Sequence, residues 1–384
     1  MYGGAHLYKS QTCGKLGKLA EQALAEYAPD AATLSEILTI PPDLAHTVYA
    51  RVLEKLRREP VEDYRIDFED GFGTRPDAEE DAALDNAVEQ LAAAMDSGTL
   101  PPFIGIRTKS FADESKARGM RTLERFLKNA VRLPADFVVT LPKITAAAEV
   151  TELMEMLAPY PEIGVELMIE TSFSLTHLTR LVELTQGRCR GAHFGPYDYT
   201  SSLGITAHNQ HLLHPACNFA RSTMLMTLAG SGLALSDGPT NVMPVPVHRG
   251  ESLTGAQKTA NRTAVHNAWR LHYKHVRDAL YNGFYQGWDL HPAQIPIRYA
   301  AVYAFFLEGL DATSERLRNF IAKAAQATMV GSVFDDAATG QGLLNYFLRA
   351  LSSGAIAESE IPDLTGLTLE QLRTQSFAKI LETL

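Results

Sequence analysis

The sequence predicts an α/β fold of the TIM (β/α)8 barrel class, and three observations carry this prediction. Eight short apolar segments alternate with longer segments of helical periodicity, which indicates βα units around a parallel sheet. Most of the apolar segments end in charged or polar residues, and such barrels carry their sites at the C-terminal ends of the strands. No apolar segment is followed by a GxGxxG fingerprint, which argues against a doubly wound sheet, the alternative fold.

The predicted strands are short apolar runs bounded by glycine, proline or acidic residues. They cover residues 5–8, 64–70, 103–107, 136–143, 164–170, 190–195, 232–237 and 287–291. The predicted helices show apolar residues at helical spacing. They cover residues 15–27, 30–58 with a break at Pro41-Pro42, 77–95, 114–130, 146–158, 175–185, 211–230 and 259–283. We therefore expect a barrel domain over residues 1–297, with a helical insertion at about 30–58. A C-terminal helical extension is expected over residues 298–384.

Composition bounds the class of protein. The chain has 384 residues, of which 46% are hydrophobic and 21% charged, as in a soluble globular protein with a sizeable core. A formal net charge of −10 without a long basic run argues against nucleic acid as a partner. Three widely spaced cysteines are typical of a reducing compartment, and no signal peptide or membrane-spanning run is evident. We therefore expect a cytoplasmic protein with no membrane partner.

Two carboxylates follow neighbouring predicted strands. Glu170 closes the fifth strand, and Asp198 comes a few residues after the sixth. Because parallel strands end at the same edge of the sheet, these side chains are expected to share one hard divalent cation. Oxygen ligands suit Mg²⁺, with Mn²⁺ as the alternative ion, and two carboxylates leave positions for water and substrate. Capping of the following helices is the alternative role for both acids.

Six motifs then occur in a fixed order along the predicted barrel. They are Ile66-Asp-Phe-Glu-Asp70, Gly105-Ile-Arg107, Leu141-Pro-Lys143, Ile169-Glu-Thr171, Phe194-Gly-Pro-Tyr-Asp-Tyr-Thr-Ser-Ser-Leu-Gly204 and Leu290-His-Pro-Ala-Gln-Ile295. In this order and spacing the chain resembles the HpcH/HpaI aldolase superfamily, and within it the citrate lyase β-subunit (CitE-like) and malyl-CoA lyase-like proteins. Tyr2-Gly-Gly-Ala-His6 and Val245-Pro-Val-His-Arg249 resemble a branch sometimes labelled phosphoenolpyruvate kinase, although the chain lacks a GxxxxGK[ST] loop.

The resemblance implies a barrel of the phosphoenolpyruvate/pyruvate-binding type and a role for each matching residue. Glu170 and Asp198 match the Mg²⁺ ligands of the family. Arg107 matches the arginine that holds the carboxylate and oxygen of a 2-oxoacid or of the product enolate. Glu69 and Asp70 match acids that bind metal-bound water or orient Arg107, and a structural ion pair with Arg107 is the alternative.

The remaining implied site residues come from five parts of the chain. Asp335, in Gly331-Ser-Val-Phe-Asp-Asp336, matches an acid that reaches over the active site, from its own subunit or from a neighbour. A turn or a helix N-cap is its alternative role. The implied substrate contacts lie in the sixth-strand motif and at other strand ends: Gly195, Pro196, Tyr197, His6, Lys143 and His291. For the last three of these, a structural role is the alternative.

The resemblance implies a Mg²⁺-dependent carbon–carbon lyase. Such an enzyme would cleave or form a hydroxy acid, or its CoA thioester, through a metal-stabilised enolate. One alternative is a phosphotransferase that handles pyruvate or phosphoenolpyruvate on the same barrel. Another is a metabolite-binding or assembly subunit without turnover. The expected partners are a small 2-oxoacid or hydroxy acid, acyl-CoA as a second ligand, and further copies of the chain in a trimer or hexamer.

Overall fold

The computed structural model describes residues 1–330 and 337–382, and its core is one parallel sheet. Eight strands follow one another in the order β1 to β8, each pairing in parallel with the next. They are β1 (Tyr2–Gly4), β2 (Asp63–Asp67), β3 (Phe103–Arg107), β4 (Val138–Leu141), β5 (Gly164–Ile169), β6 (Cys189–Phe194), β7 (Ala234–Asp237) and β8 (Gln286–Gly287). Sequential parallel order with intervening helices is the topology of a (β/α)8 barrel. The predicted TIM-like α/β fold is confirmed.

Helices separate the strands along the chain, and further helices follow the last strand. The first eleven are α1 (Thr12–Tyr27), α2 (Ala31–Leu38), α3 (Ala45–Arg58), α4 (Asp77–Ser97), α5 (Asp113–Asn129), α6 (Ala147–Met156), α7 (Ser172–Thr176), α8 (Leu178–Leu184), α9 (Pro196–Ser202), α10 (Pro215–Leu228) and α11 (Gly255–Tyr281). The last six are α12 (Ile295–Glu308), α13 (Leu310–Val330), α14 (Ala337–Ser352), α15 (Ile361–Thr365), α16 (Leu369–Arg373) and α17 (Phe377–Leu381). Helices α2 and α3 lie on either side of Pro41-Pro42, as predicted.

The first strand differs from the prediction. Residues 5–7 form a 3-10 turn, and the strand is the glycine-containing segment before them, β1. Glycine is disfavoured in strands, but here close packing requires it. A Cβ on Gly3 would collide with the Tyr64 hydroxyl, and one on Gly4 with the carbonyl oxygen of Gly71.

Two further differences affect the site. The eighth strand is only two residues long, so His291 lies beyond it, as the N-cap of a separate 3-10 turn. Helix α9 was not predicted. It begins at Pro196, whose missing N–H costs nothing at the first helical position, and it places Asp198 in its first turn.

The chain divides into two compact units. One comprises Met1–Tyr27 with Lys55–Pro296 and contains the sheet. The other comprises Ala28–Glu54 with Ile297–Leu384, so the predicted insertion groups with the C-terminal helices. Within this second unit Arg51 forms an ion pair with Glu360, with 3.3 Å between the charged atoms. The separation into a catalytic barrel and a helical extension stays a prediction.

The interior of the sheet is polar near its middle, where branched apolar residues usually fill such barrels. Arg65 forms an ion pair with Glu166 at 2.5 Å, and Thr140 donates to the same carboxylate at 2.8 Å. His193 Nε2 lies 3.4 Å from Glu166. All four residues are buried. Removing Arg65 would leave the buried Glu166 carboxylate without its cation, so this network ties together the strands that carry the site. Among the described helices, none is long and apolar enough to span a membrane.

Candidate active site

Four carboxylates converge after the C-terminal ends of β2, β5 and β6, and we name them the acid cluster: Glu69, Asp70, Glu170 and Asp198. Glu69 and Asp70 follow β2, Glu170 follows β5, and Asp198 lies in the first turn of α9. Their exposure differs widely. Glu170 is 1% exposed, whereas the side chains of Asp70 and Asp198 are 58% and 44% exposed. The cluster therefore has a buried floor and a solvent-facing rim.

Glu170 is the buried acid of the cluster. Burial, together with the neighbouring Glu69 and Asp198 carboxylates, raises the pKa of Glu170 to about 8. One oxygen accepts a hydrogen bond from the backbone N–H of Lys143 at 2.6 Å. Burial likewise raises the pKa of Asp198 above its ordinary value. The ionised form of both acids is therefore disfavoured in this site. A divalent cation would supply positive charge that favours the ionised form.

Gly195 makes room for the Glu170 carboxylate. A Cβ at this position would lie 2.6 Å from the Cβ of Glu170 and would collide with its Oε2 atom. The space that the Oε2 atom of Glu170 occupies thus exists only because residue 195, directly after β6, has no side chain.

Replacing Gly195 with alanine is therefore expected to push the Glu170 carboxylate out of position. Changes beside a metal ligand typically cost about 10- to 100-fold in metal affinity, so with Glu170 as the predicted Mg²⁺ ligand we expect a loss of that size. Calorimetric titration of Mg²⁺ measures it. Gly14→Ala is the matched control, because nothing lies within 4 Å of a Cβ there, and its affinity should equal that of the wild type. Equal affinities for wild type and Gly195→Ala would show that the space beside Gly195 does not affect Mg²⁺ binding.

Lys143 follows β4 and has its ammonium group among the acids. The Nζ atom lies 2.5 Å from Glu69, 2.9 Å from Asp70 and 3.9 Å from Asp198. Burial opposes its charge, yet Glu69 and Asp70 raise the pKa of Lys143 above its ordinary value. The pKa of Asp70 is lowered despite burial, because Arg107 and Lys143 lie beside it.

Arg107, at the end of β3, is the second cation of the site. Its Nε and Nη2 atoms donate to the two oxygens of Asp67 at 2.8 and 2.5 Å, a bidentate pair that is almost fully buried. Its Nη1 atom lies 3.0 Å from Glu69 and 3.7 Å from Asp70. The Glu69 atom nearest Arg107 is Oε2, which is buried and forms this ion pair without accepting a hydrogen bond from the described residues. Burial raises the pKa of Glu69 even though Arg107 lies beside it.

Asp67 was missed in the sequence, and it organises this part of the site. Besides Arg107, its two oxygens accept the backbone N–H groups of Glu69 at 2.9 Å and Gly71 at 2.7 Å. It therefore aims the arginine and holds the turn that presents Glu69 and Asp70. The sequence did contain a hint of this role. Asp67 lies two residues before Glu69, and side chains two residues apart in a strand point to the same face.

A pair of aromatic rings lies against Arg107. The guanidinium carbon is 4.8 Å from the centre of the Tyr2 ring and 5.9 Å from that of Trp288. The Tyr2 hydroxyl is hydrogen-bonded to His193 Nδ1 at 3.0 Å, which ties the ring to the buried polar network. Tyr2 also was missed, because the first strand was placed too late in the chain.

The structure brings six predicted residues together, namely the acid cluster, Arg107 and Lys143. Other predicted residues have different partners. The His6 ring packs on Phe72, the Tyr197 hydroxyl bridges Pro239 O and Asn241 N, and His291 Nδ1 accepts the Ala293 N–H. Pro196 opens α9. Asp335 lies outside the described residues.

The donor set fits a small hard cation. Among residues 1–330 and 337–382, no three His, Cys, Asp or Glu side chains form a ready metal cage. Mg²⁺ does not require one, because it is usually held by one or two carboxylates and keeps several waters. Glu170 and Asp198 are the pair that would hold it, since Lys143 and Arg107 already neutralise Glu69 and Asp70.

The chain is similar to one sequence family and to several solved structures. The family model described as "Domain of unknown function (DUF6986)" matches residues 1–380. No curated protein matches the sequence. A solved citrate lyase from Burkholderia xenovorans LB400 is 19% identical, with a TM-score of 0.57 over 83% of this chain and 92% of that chain. This likeness confirms the fold expected from the citrate lyase β-subunit resemblance, and at this identity it establishes the fold alone.

Two structures from Mycobacterium tuberculosis are also similar. The citrate lyase beta subunit complexed with oxaloacetate and magnesium is 20% identical, with a TM-score of 0.43 over 63% of this chain and 87% of that chain. CitE in complex with magnesium, acetoacetate and coenzyme A is 17% identical, with a TM-score of 0.48 over 79% and 95%.

Proposed function

The chain belongs to the DUF6986 family, and we propose that it is a Mg²⁺-dependent carbon–carbon lyase of the citrate lyase β-subunit type. Its substrate would be a hydroxy acid or the corresponding CoA thioester, cleaved to or formed from a 2-oxoacid. The observation that carries the proposal is the convergence of Arg107 with Glu170 and Asp198 at one edge of the sheet. A fixed guanidinium and a two-carboxylate cation site are what an oxoacid and its enolate require.

Arg107 would bind the substrate carboxylate. A guanidinium has five N–H groups; Asp67 accepts two of them and the Met168 sulfur accepts a third at 3.6 Å, which leaves the others for an oxoacid. Because Asp67 and the rings of Tyr2 and Trp288 hold the side chain, its geometry is set before the ligand arrives. Little conformational entropy is then lost on binding.

Cleavage of a hydroxy acid breaks the bond between the carbinol carbon and its neighbour. The hydroxyl proton leaves, the carbinol carbon becomes a carbonyl, and the electron pair stays on the departing fragment as an enolate. A divalent cation held by Glu170 and Asp198 would act as a Lewis acid that polarises the oxygens of the substrate. Arg107 would stabilise the negative charge that develops. Asp335 remains the candidate to move the proton, on the sequence resemblance alone.

Turnover tests the proposal directly. Glyoxylate, pyruvate and oxaloacetate are incubated with Mg²⁺, with and without acetyl-CoA, and the loss of each oxoacid is followed by proton NMR. Oxaloacetate decarboxylates without protein and faster with Mg²⁺, so each rate is compared with a protein-free sample. We expect the wild type to consume at least one oxoacid faster than this background and Glu170→Gln to match the background. Consumption only with acetyl-CoA assigns a thioester substrate. Metal-dependent binding without conversion would contradict the lyase and favour the binding or assembly subunit, and ATP-dependent consumption of pyruvate would favour the phosphotransferase.

A further inference from the structure

Lys143 has an unusual backbone for a lysine. Its φ angle is +49°, in the left-handed region that residues with a side chain seldom adopt. This conformation points its N–H at Glu170, to which it donates at 2.6 Å. A strained backbone at the end of a strand that faces the site is a sign of a constraint beyond packing.

The side chain of Lys143 reaches the other three members of the acid cluster. Its ammonium group is within 3 Å of Glu69 and Asp70 and 3.9 Å from Asp198. The contact with Asp198 is the longest. The side chain is 31% exposed, so its flexible stem has room to move. One residue thus contacts all four acids, one through the backbone and three through the ammonium.

We propose that Lys143 is a built-in competitor of the divalent cation. This inference rests on the proposed function and concerns the same site. In the metal-free protein the ammonium holds Asp198 close to Glu69 and Asp70. When a cation binds Glu170 and Asp198, the ammonium gives up Asp198 and keeps the other two acids. Lys143 is then a positioning residue that keeps the acids assembled while it lowers the affinity for the cation.

The physical reason is repulsion between like charges. In a partly buried site, a lysine ammonium lies only a few ångströms from a bound divalent cation. The Coulomb repulsion between them is larger than the free energy that corresponds to a tenfold change in affinity. Glu69 and Asp70 limit this repulsion, because they retain the ammonium on their side of the cluster. The expected benefit is a site that fills with metal chiefly when substrate adds its own oxygen ligands.

Calorimetric titration of Mg²⁺ into the metal-free full chain tests the inference. Lys143→Met removes the charge and is expected to bind Mg²⁺ at least about tenfold more tightly than the wild type. Lys143→Arg keeps the charge and is expected to stay near the wild type. Lys143→Gly is the second neutral variant, since glycine accepts the backbone conformation and keeps the N–H on Glu170. It too should bind more tightly.

The outcomes separate this inference from the proposed function. If the wild type binds Mg²⁺ and both neutral variants bind it equally or more weakly, Lys143 only organises the acids and the competitor role is overturned. If neither the wild type nor any variant binds Mg²⁺, the metal site itself is wrong, and the proposed function fails with it.

Discussion

Replacing Arg107 with lysine is expected to weaken oxoacid binding by about 10²- to 10⁴-fold while leaving the protein folded. A lysine ammonium cannot reproduce a planar fork, so it loses two charge-assisted hydrogen bonds, each worth about 1.5–3 kcal/mol. It keeps the positive charge, so Asp67 does not become a buried anion without a partner. Isothermal titration with oxaloacetate at saturating Mg²⁺ measures the loss.

Arg221 on α10 provides the matched control for this substitution. Its side chain is as buried as that of Arg107 and binds Asp237 and Asp278 at 2.8 Å each. Arg221→Lys should lower the unfolding temperature by a similar amount without changing oxoacid affinity. If the two variants lost equal affinity, the effect would come from general destabilisation, and Arg107 would not be the anion site.

Replacing Glu170 with glutamine is expected to abolish turnover and nearly abolish Mg²⁺ binding. The site loses one of two charged ligands, so the fall in affinity should exceed the roughly 10- to 100-fold that an outer-shell change costs. Glu149→Gln is the control, because Glu149 is a buried glutamate that caps α6. Its loss should affect stability alone. Unchanged Mg²⁺ affinity in Glu170→Gln would remove the metal site from this position.

The stability of metal-free Glu170→Gln should also depend on pH differently from that of the wild type. The pKa of Glu170 is raised from 4.5 to about 8 in the metal-free protein. The stability that this group contributes is therefore present below pH 4.5 and is lost as the pH rises toward 8. Relative to the wild type, metal-free Glu170→Gln should become more stable across that window and level off above it. A difference in unfolding free energy that is independent of pH would contradict the assignment.

Metal binding should follow the same titration in the wild type. A cation binds the deprotonated carboxylate, so its apparent affinity should rise about tenfold per pH unit below the pKa of Glu170. Above about pH 8 it should reach a plateau. Titrations of Mg²⁺ at several pH values test this, and an affinity that is constant from pH 6 to 9 would be inconsistent with Glu170 as a ligand.

The sequence predicted most of the site because parallel strands bring their C-terminal ends to one edge. Glu69, Asp70, Arg107, Lys143 and Glu170 each follow or close a strand, and they meet in space although they are far apart in the chain. This rule predicts where each side chain lies. It does not predict which side chains contact each other, so the contacts of Lys143 with all four acids are known only from the structure.

The misses have a common physical cause, which is that local preference was overridden by tertiary packing. Gly3 and Gly4 have low strand propensity, so no strand was predicted there. Only glycine, however, fits against Tyr64 and Gly71 at these positions. Asp67 is the last residue of β2, whereas the predicted strand ran on to Asp70 and placed Asp67 in its interior. Its burial is tolerated because Arg107 and two backbone N–H groups satisfy it. The charged partner, Arg107, lies forty positions away in the chain, so the residues around Asp67 do not reveal it.

The most direct test of the account is whether metal and oxoacid share one site. Thermal unfolding is followed with Mg²⁺, with oxaloacetate, and with both, in the wild type and in Glu170→Gln. A ligand at about a hundred times its dissociation constant should add about 2.7 kcal/mol of stability. We predict a shift in the wild type that requires both ligands and that is absent from Glu170→Gln. A shift with oxaloacetate that is indifferent to Mg²⁺ and persists in Glu170→Gln would contradict the shared site.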